Sequence, residues 1–416
     1  NQTLSFKLKN VDCRIRYYGK AIGKSTDWLT LRNVVQKGAP NISKLPARAK
    51  QLRDHAIATR ETYRGGWVLI DQDGRADDNA EHLYRHLMAT GRTDKAWFVL
   101  AEDSKDWARL QSEGFKLLPY GSDDHIAAHT NAAALISSHA DQHILWPGGK
   151  QGLDDLTNYD FVFLQHGVTT NDVSAWLNFK PIRLFITCMP DEAASLADPS
   201  GPYTFTARET LFSGFPRHDG LALKKAAVKD DLILLVPTWR KYLTVENDTV
   251  GQRRLKLNDF TESEFCRNWS EVLTSEKLRD MAAAKGLKIM LLPHPNMAMY
   301  LDDMDIPDWV ETADVRKGIS YQNLLSRAHI AVTDFSSAVS DVAFLQRPVA
   351  YFQFDADEMF KGDHVYKKGF FEFERDGFGP VVTTADQVVN HIEAVLAGQE
   401  DTVFAERRAA RFPLRD

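Results

Sequence analysis

The chain has 416 residues, of which 44% are hydrophobic and 26% are charged, and this composition is typical of a globular protein with about two domains. Its net charge of −6, from 51 basic and 57 acidic residues, argues against a nucleic-acid-binding protein, which carries a basic footprint. Three cysteines, odd in number and without a CxxC pair, make a disulfide framework or a zinc site unexpected and fit a reducing compartment.

Residues 1–65 form a predicted appendage. Its first part is basic, with Lys7, Lys9, Arg14, Arg16, Lys20 and Lys24 around two tyrosines. This part is either a solvated surface or a contact for an anionic polymer or a membrane surface. From Lys44 to Tyr63 the pattern is helical and polar. No apolar run approaches the ~20 residues that cross a bilayer, so we expect a cytoplasmic protein, with peripheral attachment to the inner face of the cell membrane left open.

From Trp67 onward, short apolar runs alternate with helical patterns. Strands are predicted at residues 67–70, 96–100, 132–137, 161–164 and 184–187, and helices at 77–88 and 107–114. Strands that alternate with helices imply a parallel, doubly wound sheet. The segment 214–220 then breaks the rhythm with turn residues, and we place a domain boundary shortly after it.

A second series of the same kind follows. Strands are predicted at 231–236, 288–292, 330–333 and 348–352, and helices at 265–285, 321–327, 337–345, 385–397 and 404–411. The predicted fold class is α/β, with two Rossmann-like domains facing each other across a cleft and an N-terminal helical appendage. The predicted boundaries are 1–65, 66–225 and 226–416. Ligands of such sheets bind at the carboxyl ends of the strands, so the cleft is the expected site.

Two histidines follow predicted strands directly. His166 lies in the turn Gln165-His166-Gly167, where glycine permits a tight turn, and a histidine there suits a general base because its pKa lies near working pH. The alternative is a histidine satisfied inside a turn. His294 is flanked by two prolines that restrict the backbone and aim the side chain, and its protonated ring would stabilise charge on phosphates.

Hydroxyl and guanidinium groups follow two other predicted strands. Thr238 and Arg240 end the run 234–240, where the planar cationic fork suits phosphate oxygens, although the run is also compatible with an ordinary strand and turn. The run 330–341 makes a hydroxyl-rich turn into a helix, with Ser336 or Ser337 as the expected cap. A helix start with free N–H groups is a ready anion site, and an ordinary N-cap is the alternative.

Several other functions lack their motif. The sequence has no GxxxxGK[ST] loop for nucleoside triphosphates, no GxGxxG after a strand and no HExxH zinc motif. The acidic pairs at 71–73 and 77–78 could bind a cation, but we interpret them as helix capping and solvation. We therefore expect no bound metal.

Together these stretches resemble the CDP-glycerol:poly(glycerophosphate) glycerophosphotransferase family of teichoic-acid and capsule polymerases. The resemblance rests on 165–167, 214–217, 237–240, 294–295, 333–337 with Asp341, 347–348 and 377–380, in the order that the family has. The stretch 67–84 also resembles this family. The likeness extends over about residues 65–400 and leaves the appendage uncovered.

The resemblance implies a GT-B type fold and transfer of a polyol phosphate from CDP-glycerol or CDP-ribitol to a hydroxyl of an anionic polyol-phosphate polymer, with CMP leaving and no cofactor required. It makes His166 the base that deprotonates the acceptor and His294 the partner of the donor phosphates. It gives substrate-binding roles to Gly167, Arg217, Thr238, Arg240, Thr333, Asp334, Ser336, Ser337 and Asp341. Among these, Thr333 and the two serines would hold the pyrophosphate, and Asp341 would orient its neighbours.

Two other functions stay open at this point. A nucleotide-sugar glycosyltransferase would use the same two-domain architecture and would release UDP or GDP instead of CMP. A non-catalytic polymer-binding module would keep its affinity after loss of both histidines. The sequence does not decide the polyol, the acceptor, priming against polymerisation or the oligomeric state. Because it begins at Asn1, it also leaves open whether the chain is a piece of a longer protein.

Overall fold

The computed structural model describes residues 42–149, 152–245, 259–313, 319–359 and 367–414, with short strands at 2–8, 11–17, 31–35 and 255–256. Contacts divide the chain into two compact units. The first unit contains residues 1–166 and 174–217, and the second contains 167–173 and 218–416. The loop 167–173, which follows His166, therefore belongs to the second unit. The predicted boundary at 225/226 lies eight residues beyond the observed division at 217/218.

Three strands open the chain where a helical appendage was expected. Strands β1 (Gln2–Leu8), β2 (Val11–Tyr17) and β3 (Leu31–Val35) form an antiparallel sheet in the order β1-β2-β3. Apolar residues alternate with polar ones along both of the first two strands, which is the period of a strand. The side chains of the basic stretch lie outside the described residues, so its contact with a polymer or membrane stays a prediction.

The helical part of the appendage begins after residue 46. Helices α1 (Ala47–Ala58) and α2 (Arg60–Tyr63) match the predicted range closely. Buried Arg53 anchors α1, because its guanidinium donates two hydrogen bonds to Asp155 at 2.6 and 2.8 Å and one to the Gly152 carbonyl at 2.8 Å. The appendage helix is thereby packed onto the first unit.

The first unit is built around a seven-stranded parallel sheet. Its strands are β4 (Trp67–Ile70), β5 (Ala96–Leu100), β6 (Leu117–Pro119), β7 (Ala134–Ser137), β8 (Asp160–Phe163), β9 (Ile182–Thr187) and β10 (Thr210–Phe212). Their order is β10-β9-β8-β7-β4-β5-β6. The chain therefore extends the sheet in opposite directions from β4, and the strand order reverses between β4 and β7. Ligands of doubly wound sheets bind at such a switch point.

Helices connect these strands in a βα pattern. They are α3 (Asn79–Ala89), α4 (Trp107–Ser112), α5 (Asp123–Asn131), α6 (Gln142–Leu145), α7 (Ser174–Leu177) and α8 (Pro190–Ala197). Helix α9 (Pro216–Ala227) follows β10, and the division between the units at 217/218 falls within it. The prediction of a turn over 214–220 is wrong from Pro216 onward, because this proline begins α9. Proline is favoured at a first helical position, where its missing N–H would have no intrahelical partner.

The second unit has a six-stranded parallel sheet and a small hairpin. The strands are β11 (Leu232–Val236), the hairpin β12 (Thr244–Val245) and β13 (Leu255–Lys256), then β14 (Lys288–Leu291), β15 (Val310–Thr312), β16 (Ala328–Thr333), β17 (Val349–Phe352) and β18 (Val381–Val382). The order β15-β14-β11-β16-β17-β18 reverses between β11 and β16. The five residues of β11 are all buried, as expected for a central strand covered on both faces.

The helices of the second unit pack around this sheet. They are α10 (Glu264–Leu273), α11 (Glu276–Lys285), α12 (Tyr321–Arg327), α13 (Val339–Phe344), α14 (Ala356–Met359), α15 (Phe373–Asp376), α16 (Ala385–Leu396) and α17 (Thr402–Arg411). Trp269 of α10 is fully buried against Phe352 of β17 and anchors the core. Within the described ranges, no helix has the length and apolar character that spanning a bilayer requires.

Candidate active-site residues

Polar side chains collect at the carboxyl ends of three neighbouring strands in the first unit. Asp71 follows β4, Ser138 and His139 follow β7, and Gln165 and His166 follow β8. The switch point lies between β4 and β7, so this group stands where a doubly wound sheet binds its ligand. The predicted base His166 is therefore in a position that the topology favours.

The backbone of Ser138 sets the protonation pattern of His166. The imidazole is exposed, and its Nδ1 lies 3.4 Å from the Ser138 carbonyl oxygen. A carbonyl only accepts hydrogen bonds, so Nδ1 carries the proton in this long contact. In the neutral ring, Nε2 then holds the lone pair. A neutral histidine with an accessible nitrogen lone pair is suited to general base chemistry.

Gln165 holds the turn that carries His166 in a strained conformation. Its φ is 62°, in the left-handed region that a glutamine seldom adopts, and such residues cost about 1–3 kcal/mol. The buried amide donates to the Ile186 carbonyl at 2.7 Å and to Glu192 at 3.0 Å. Asn79 donates to the Gln165 carbonyl at 2.7 Å. These bonds on both sides of the residue maintain the unusual backbone.

Asp71 connects the start of helix α3 with β7. Its buried carboxyl accepts hydrogen bonds from the Ser138 hydroxyl at 2.5 Å and from the amide of Ala80 at 2.8 Å. Burial and the nearby Asp78 raise the pKa of Asp71 to about 8. Asp78 itself is the N-cap of α3 and accepts from the Asn79 amide at 2.8 Å. The acidic residues here thus cap a helix, as the sequence predicted.

Arg217 lies at the same end of the first unit. Its side chain is buried, and its guanidinium donates to Asp78 at 2.9 Å and lies over the Phe215 ring at 4.8 Å. Its backbone amide donates to Asn79 at 3.1 Å. Arg217 therefore belongs to the framework around Asn79, and its predicted contact with substrate stays a prediction.

The second unit also places candidate residues at strand ends. Thr238 and Arg240 follow β11, His294 follows β14, and Asp334 follows β16. The strand order of this sheet reverses between β11 and β16. Each unit thus brings its own set of predicted residues to its own switch point.

The Arg240 guanidinium is fully buried, contrary to a simple phosphate contact. It donates to Asp355 at 2.7 and 2.9 Å and to the Thr238 carbonyl at 2.9 Å, and it pairs with Asp334 at 2.9 Å. Both carboxylates hold the pKa of Arg240 above its ordinary value, against the effect of burial. A side chain with 0% exposure has no surface to offer a ligand, so we assign Arg240 to support of the loop.

Thr333 and Asp334 are buried in the same framework. The Thr333 hydroxyl donates to the Val236 carbonyl at 2.7 Å, and Asp334 accepts from the Thr238 amide at 2.9 Å. These bonds join the ends of β11 and β16. Substrate contact by either side chain stays a prediction, because neither is exposed in this structure.

The hydroxyl of Thr238 differs from that of Thr333 in its hydrogen bonding. Its Oγ1 is buried and has no hydrogen-bond partner within the described part of the chain. An unpaired buried hydroxyl costs about 1–3 kcal/mol, so such a group calls for an explanation such as a ligand or a water molecule. Thr238 is therefore the buried residue here with the clearest capacity for a further polar contact.

His294 has the opposite tautomer to His166. Its Nδ1 accepts from the Asn296 amide at 3.2 Å and caps the 3-10 helix Pro295–Asp303. An accepting Nδ1 carries no proton, so in the neutral ring Nε2 is the protonated nitrogen. Nε2 is then a hydrogen-bond donor suited to a phosphate oxygen. The predicted action of a protonated His294 on the donor phosphates stays a prediction.

The turn between β16 and α13 meets the loop that follows His166. A Cβ added to Gly167 would lie 2.7 Å from the Ser337 hydroxyl, so glycine permits the close approach. Ser336 accepts from the Ala338 amide at 3.2 Å. The predicted capping role of the two serines is wrong, because the N-cap of α13 is Ala338 and no side chain caps it.

A small pocket of the second unit adjoins these serines. It is lined by hydroxyl and aromatic residues, namely Thr170, Phe335, Ser336, Ser337, Ser340, Tyr351, Phe371, Phe373 and Phe378, with Val339. Asp341 lies in α13, buried against His218 with an oxygen–nitrogen distance of 3.2 Å. Both partners are in the second unit, and the pair is compatible with the orienting role predicted for Asp341.

Sequence reasoning missed two residues of the first unit. His139 stacks on His166 with ring centroids 4.4 Å apart and an interplanar angle of 3°. Asn79 contacts both the Gln165 and Arg217 backbones. The signal for His139 was present, because Ser138-His139 directly follows a predicted strand. In the described ranges, no three His, Cys, Asp or Glu side chains are grouped so that they could hold a metal ion.

Sequence relatives of the chain come from teichoic acid synthesis. It is 33% identical over 342 residues to the minor teichoic acid biosynthesis protein GgaB of Bacillus subtilis (strain 168), and the aligned residues cover 81% of this chain and 36% of GgaB. It is 24% identical over 204 residues to the teichoic acid poly(glycerol phosphate) polymerase of Bacillus spizizenii, which covers 45% of each. The chain thus spans less than half the length of both relatives.

Solved structures resemble most of the chain in fold. The wall teichoic acid polymerase TagF has a TM-score of 0.61 at 14% identity, covering 89% of this chain and 90% of that one. A putative UDP-N-acetylglucosamine 2-epimerase from Listeria monocytogenes has a TM-score of 0.51 at 11% identity, covering 84% and 91%. These likenesses and the two parallel sheets confirm the predicted α/β fold class. The family model for CDP-Glycerol:Poly(glycerophosphate) glycerophosphotransferase matches residues 199–412, more than half of the chain, and the chain belongs to this family.

Proposed function

We propose that this protein is a transferase that moves a polyol phosphate from a CDP-polyol to a hydroxyl of a teichoic-acid-like or capsule polymer and releases CMP. Membership of the glycerophosphotransferase family supports the reaction. The relatives GgaB and poly(glycerol phosphate) polymerase support a teichoic acid as acceptor. The TagF structures include a histidine-to-asparagine variant soaked with CDPG, which supports a CDP-polyol donor.

The observation that carries the proposal is the position of His166 at the switch point of the first sheet, with its Nδ1 3.4 Å from the Ser138 carbonyl oxygen. The acceptor hydroxyl loses its proton to Nε2 while its oxygen attacks the phosphorus that bears the polyol. The bond from this phosphorus to the bridging oxygen of the CDP group breaks, and CMP leaves with that oxygen. Such phosphoryl transfer depends on positioning and charge stabilisation, with one proton to remove. The Ser138 carbonyl at Nδ1 keeps the lone pair on Nε2 for this step.

We propose that the donor binds at the switch point of the second unit. His294 would donate from Nε2 to a phosphate oxygen, and the unpaired hydroxyl of Thr238 would donate to another. Ser336 and Ser337 are partly exposed in the adjoining turn and would add further hydrogen bonds. Buried Arg240 would keep this loop in place through its two carboxylate partners.

The experiment that tests the proposal measures CMP release with CDP-glycerol and, separately, with CDP-ribitol, each with a glycerol-phosphate polymer acceptor. The intact protein should release CMP from at least one donor, and the family favours CDP-glycerol. His166→Ala should lower the rate about 100-fold or more, since general base catalysis contributes about 10²–10⁴-fold. His86→Ala is the matched control, because His86 is exposed on α3.

Two outcomes would contradict the proposal. Release of UDP or GDP from a nucleotide sugar, with no turnover of either CDP-polyol, would identify a glycosyltransferase instead. Polymer binding that survives loss of both His166 and His294, in a protein without turnover, would identify a binding module. Each outcome is read in the same assay series, with the polymer fixed and the donor varied.

We also propose that the transfer needs no metal cofactor. An excess of EDTA should then leave the rate of CMP release unchanged, and loss of activity that Mg²⁺ restores would refute this.

We further propose that the basic first stretch of the chain contacts an anionic membrane surface at the inner face of the cell membrane. Sedimentation with vesicles of anionic or neutral lipid tests this contact, which neutral vesicles should not support.

A further inference from the structure

The rings of His139 and His166 stack on each other. The two imidazoles are parallel within 3° and their centroids are 4.4 Å apart. Both residues follow adjacent strands, β7 and β8, so the sheet itself sets their spacing. A parallel stack of this kind covers one face of the His166 ring and limits its rotation about the Cβ–Cγ bond.

His139 is held as a neutral ring. The side-chain amide of Gln72 lies 3.0 Å from its Nε2. An amide nitrogen only donates, so Nε2 accepts and Nδ1 carries the proton, 3.8 Å from Asp141. Burial and the proximity of His166, Arg75, His143 and Arg217 hold the pKa of His139 well below its ordinary value.

We infer that His139 is a positioning residue for the reaction, which fixes the ring of His166 and keeps water from one of its faces. This inference rests on the proposed function, because it acts through His166 as the base. A fixed ring directs the Nε2 lone pair, and a misplacement of about 1 Å in a reacting group can cost about 100-fold in rate.

Neutrality matters because a charged neighbour would repel the imidazolium that His166 forms when it takes the acceptor proton. Among the described residues, the charges of Arg75, His143 and Arg217 act on His139, and Asp141 lies 3.8 Å from its Nδ1. A neutral aromatic face adds no such repulsion and attracts a cation through its π electrons. The stack thus tolerates the charge that His166 takes up during the transfer.

Two substitutions at His139 distinguish the contribution of its flat ring from the contribution of its nitrogen atoms. His139→Leu keeps a similar volume without a flat ring, and His139→Phe keeps the flat ring without nitrogens. We expect His139→Leu to lower kcat about tenfold or more, with the KM for the CDP-polyol within about twofold. His139→Phe should recover most of the lost kcat, because it keeps the flat ring against His166.

The second readout does not need turnover. The ¹⁵N chemical shifts of histidine-labelled protein, with His166 assigned from the signals that His166→Gln removes, report which ring nitrogen carries the proton. At a pH where the ring is neutral, the wild type and His139→Phe should show one His166 tautomer, protonated at Nδ1, and His139→Leu should show a mixture of both tautomers. If wild type releases no CMP, the proposed function fails and this measurement still decides the effect of His139. A His139→Leu protein with wild-type kcat and a single His166 tautomer overturns the inference. So does a His139→Phe protein as impaired as His139→Leu.

Discussion

At the scale of single residues, two backbone groups give two histidines different chemistry. The Nδ1 of His166 donates a hydrogen bond to a backbone carbonyl, whereas the Nδ1 of His294 accepts a hydrogen bond from a backbone amide. The first arrangement leaves Nε2 as a base, and the second makes Nε2 a donor. The sequence places both histidines after strands, but a tautomer depends on which backbone group the fold brings to Nδ1. The sequence alone therefore does not predict the tautomer of either histidine.

Gln165 should be intolerant even of an isosteric change. In Gln165→Glu a carboxylate would face the Ile186 carbonyl and Glu192, where the amide now donates at 2.7 and 3.0 Å. Two acceptors and a like charge in a buried site should lower the free energy of unfolding by about 2–4 kcal/mol. Urea or thermal unfolding measures the change. Exposed Gln111→Glu is the control, and an unchanged midpoint for Gln165→Glu would refute the described network.

Arg240 allows a test between support and ligand contact. Arg240→Lys keeps the charge but cannot bridge Asp355 and Asp334 with a planar fork, so we expect a loss of about 3 kcal/mol in the free energy of unfolding. The KM for the CDP-polyol, measured well below the new melting temperature, should stay within about threefold. A KM that rises tenfold or more while stability is unchanged would show instead that Arg240 binds the donor.

At the scale of elements, buried strands were predictable and marginal ones were not. Strands such as β4, β5 and β11 are visible in the sequence as apolar runs, because both of their faces are covered. The edge strands β6, β10, β15 and β18 of the two parallel sheets have two or three residues and carry no readable pattern. Their existence depends on pairing with a neighbour already in place.

The positions of the candidate residues were predictable, and their contacts were less so. The sequence placed both histidines and Thr238 after strands, where ligands of such folds bind. Burial of the Arg240 side chain was not predictable, since it depends on Asp355, which is 115 positions away in the chain. The same holds for the stacking of His139 on His166, which depends on the adjacency of β7 and β8.

The pairing of β17 with β18 depends on one glycine. A Cβ at Gly379 would overlap the carbonyl of Val349, the first residue of β17, and backbone atoms cannot swing aside. We expect Gly379→Ala to lower the free energy of unfolding by about 3 kcal/mol or more, at the upper end of typical overpacking costs. Gly74→Ala is the matched control, because an added Cβ there meets nothing within 4 Å. Equal melting temperatures for the two variants would contradict this packing.

At the scale of the whole molecule, the two units repeat one architectural principle. Each parallel sheet reverses its strand order next to its first long central strand, and each reversal collects candidate residues. In the proposed reaction the first unit would supply the base, and the second would supply hydrogen-bond donors for the phosphates. Two doubly wound sheets that carry different residues at the same topological position would allow these two separate roles.

Buried histidines should make the whole protein sensitive to acid. Burial lowers the pKa of His125 to about 3 and that of His129 to about 4, so both are neutral in the folded first unit. In the unfolded chain both titrate near pH 6.5. As pH falls below about 6.5, the unfolded state binds protons that the folded state does not. Each histidine should therefore cost about 1.4 kcal/mol per pH unit until the pH reaches its folded pKa.

Thermal or urea unfolding between pH 7 and pH 5 measures this dependence. The unfolded chain binds one proton at each of the two histidines, and His129→Leu removes one of these two sites. The loss in free energy of unfolding per pH unit should therefore be smaller than in the wild type by about 1.4 kcal/mol. The side chain of His129 is fully buried against Tyr159, and leucine fills much of that volume, so the comparison of slopes is made on a folded protein. His86→Ala should keep the wild-type slope, because His86 is exposed. A His129→Leu slope equal to that of the wild type would mean that His129 is already protonated in the folded state at pH 5, and the acid sensitivity would then have to arise from other groups.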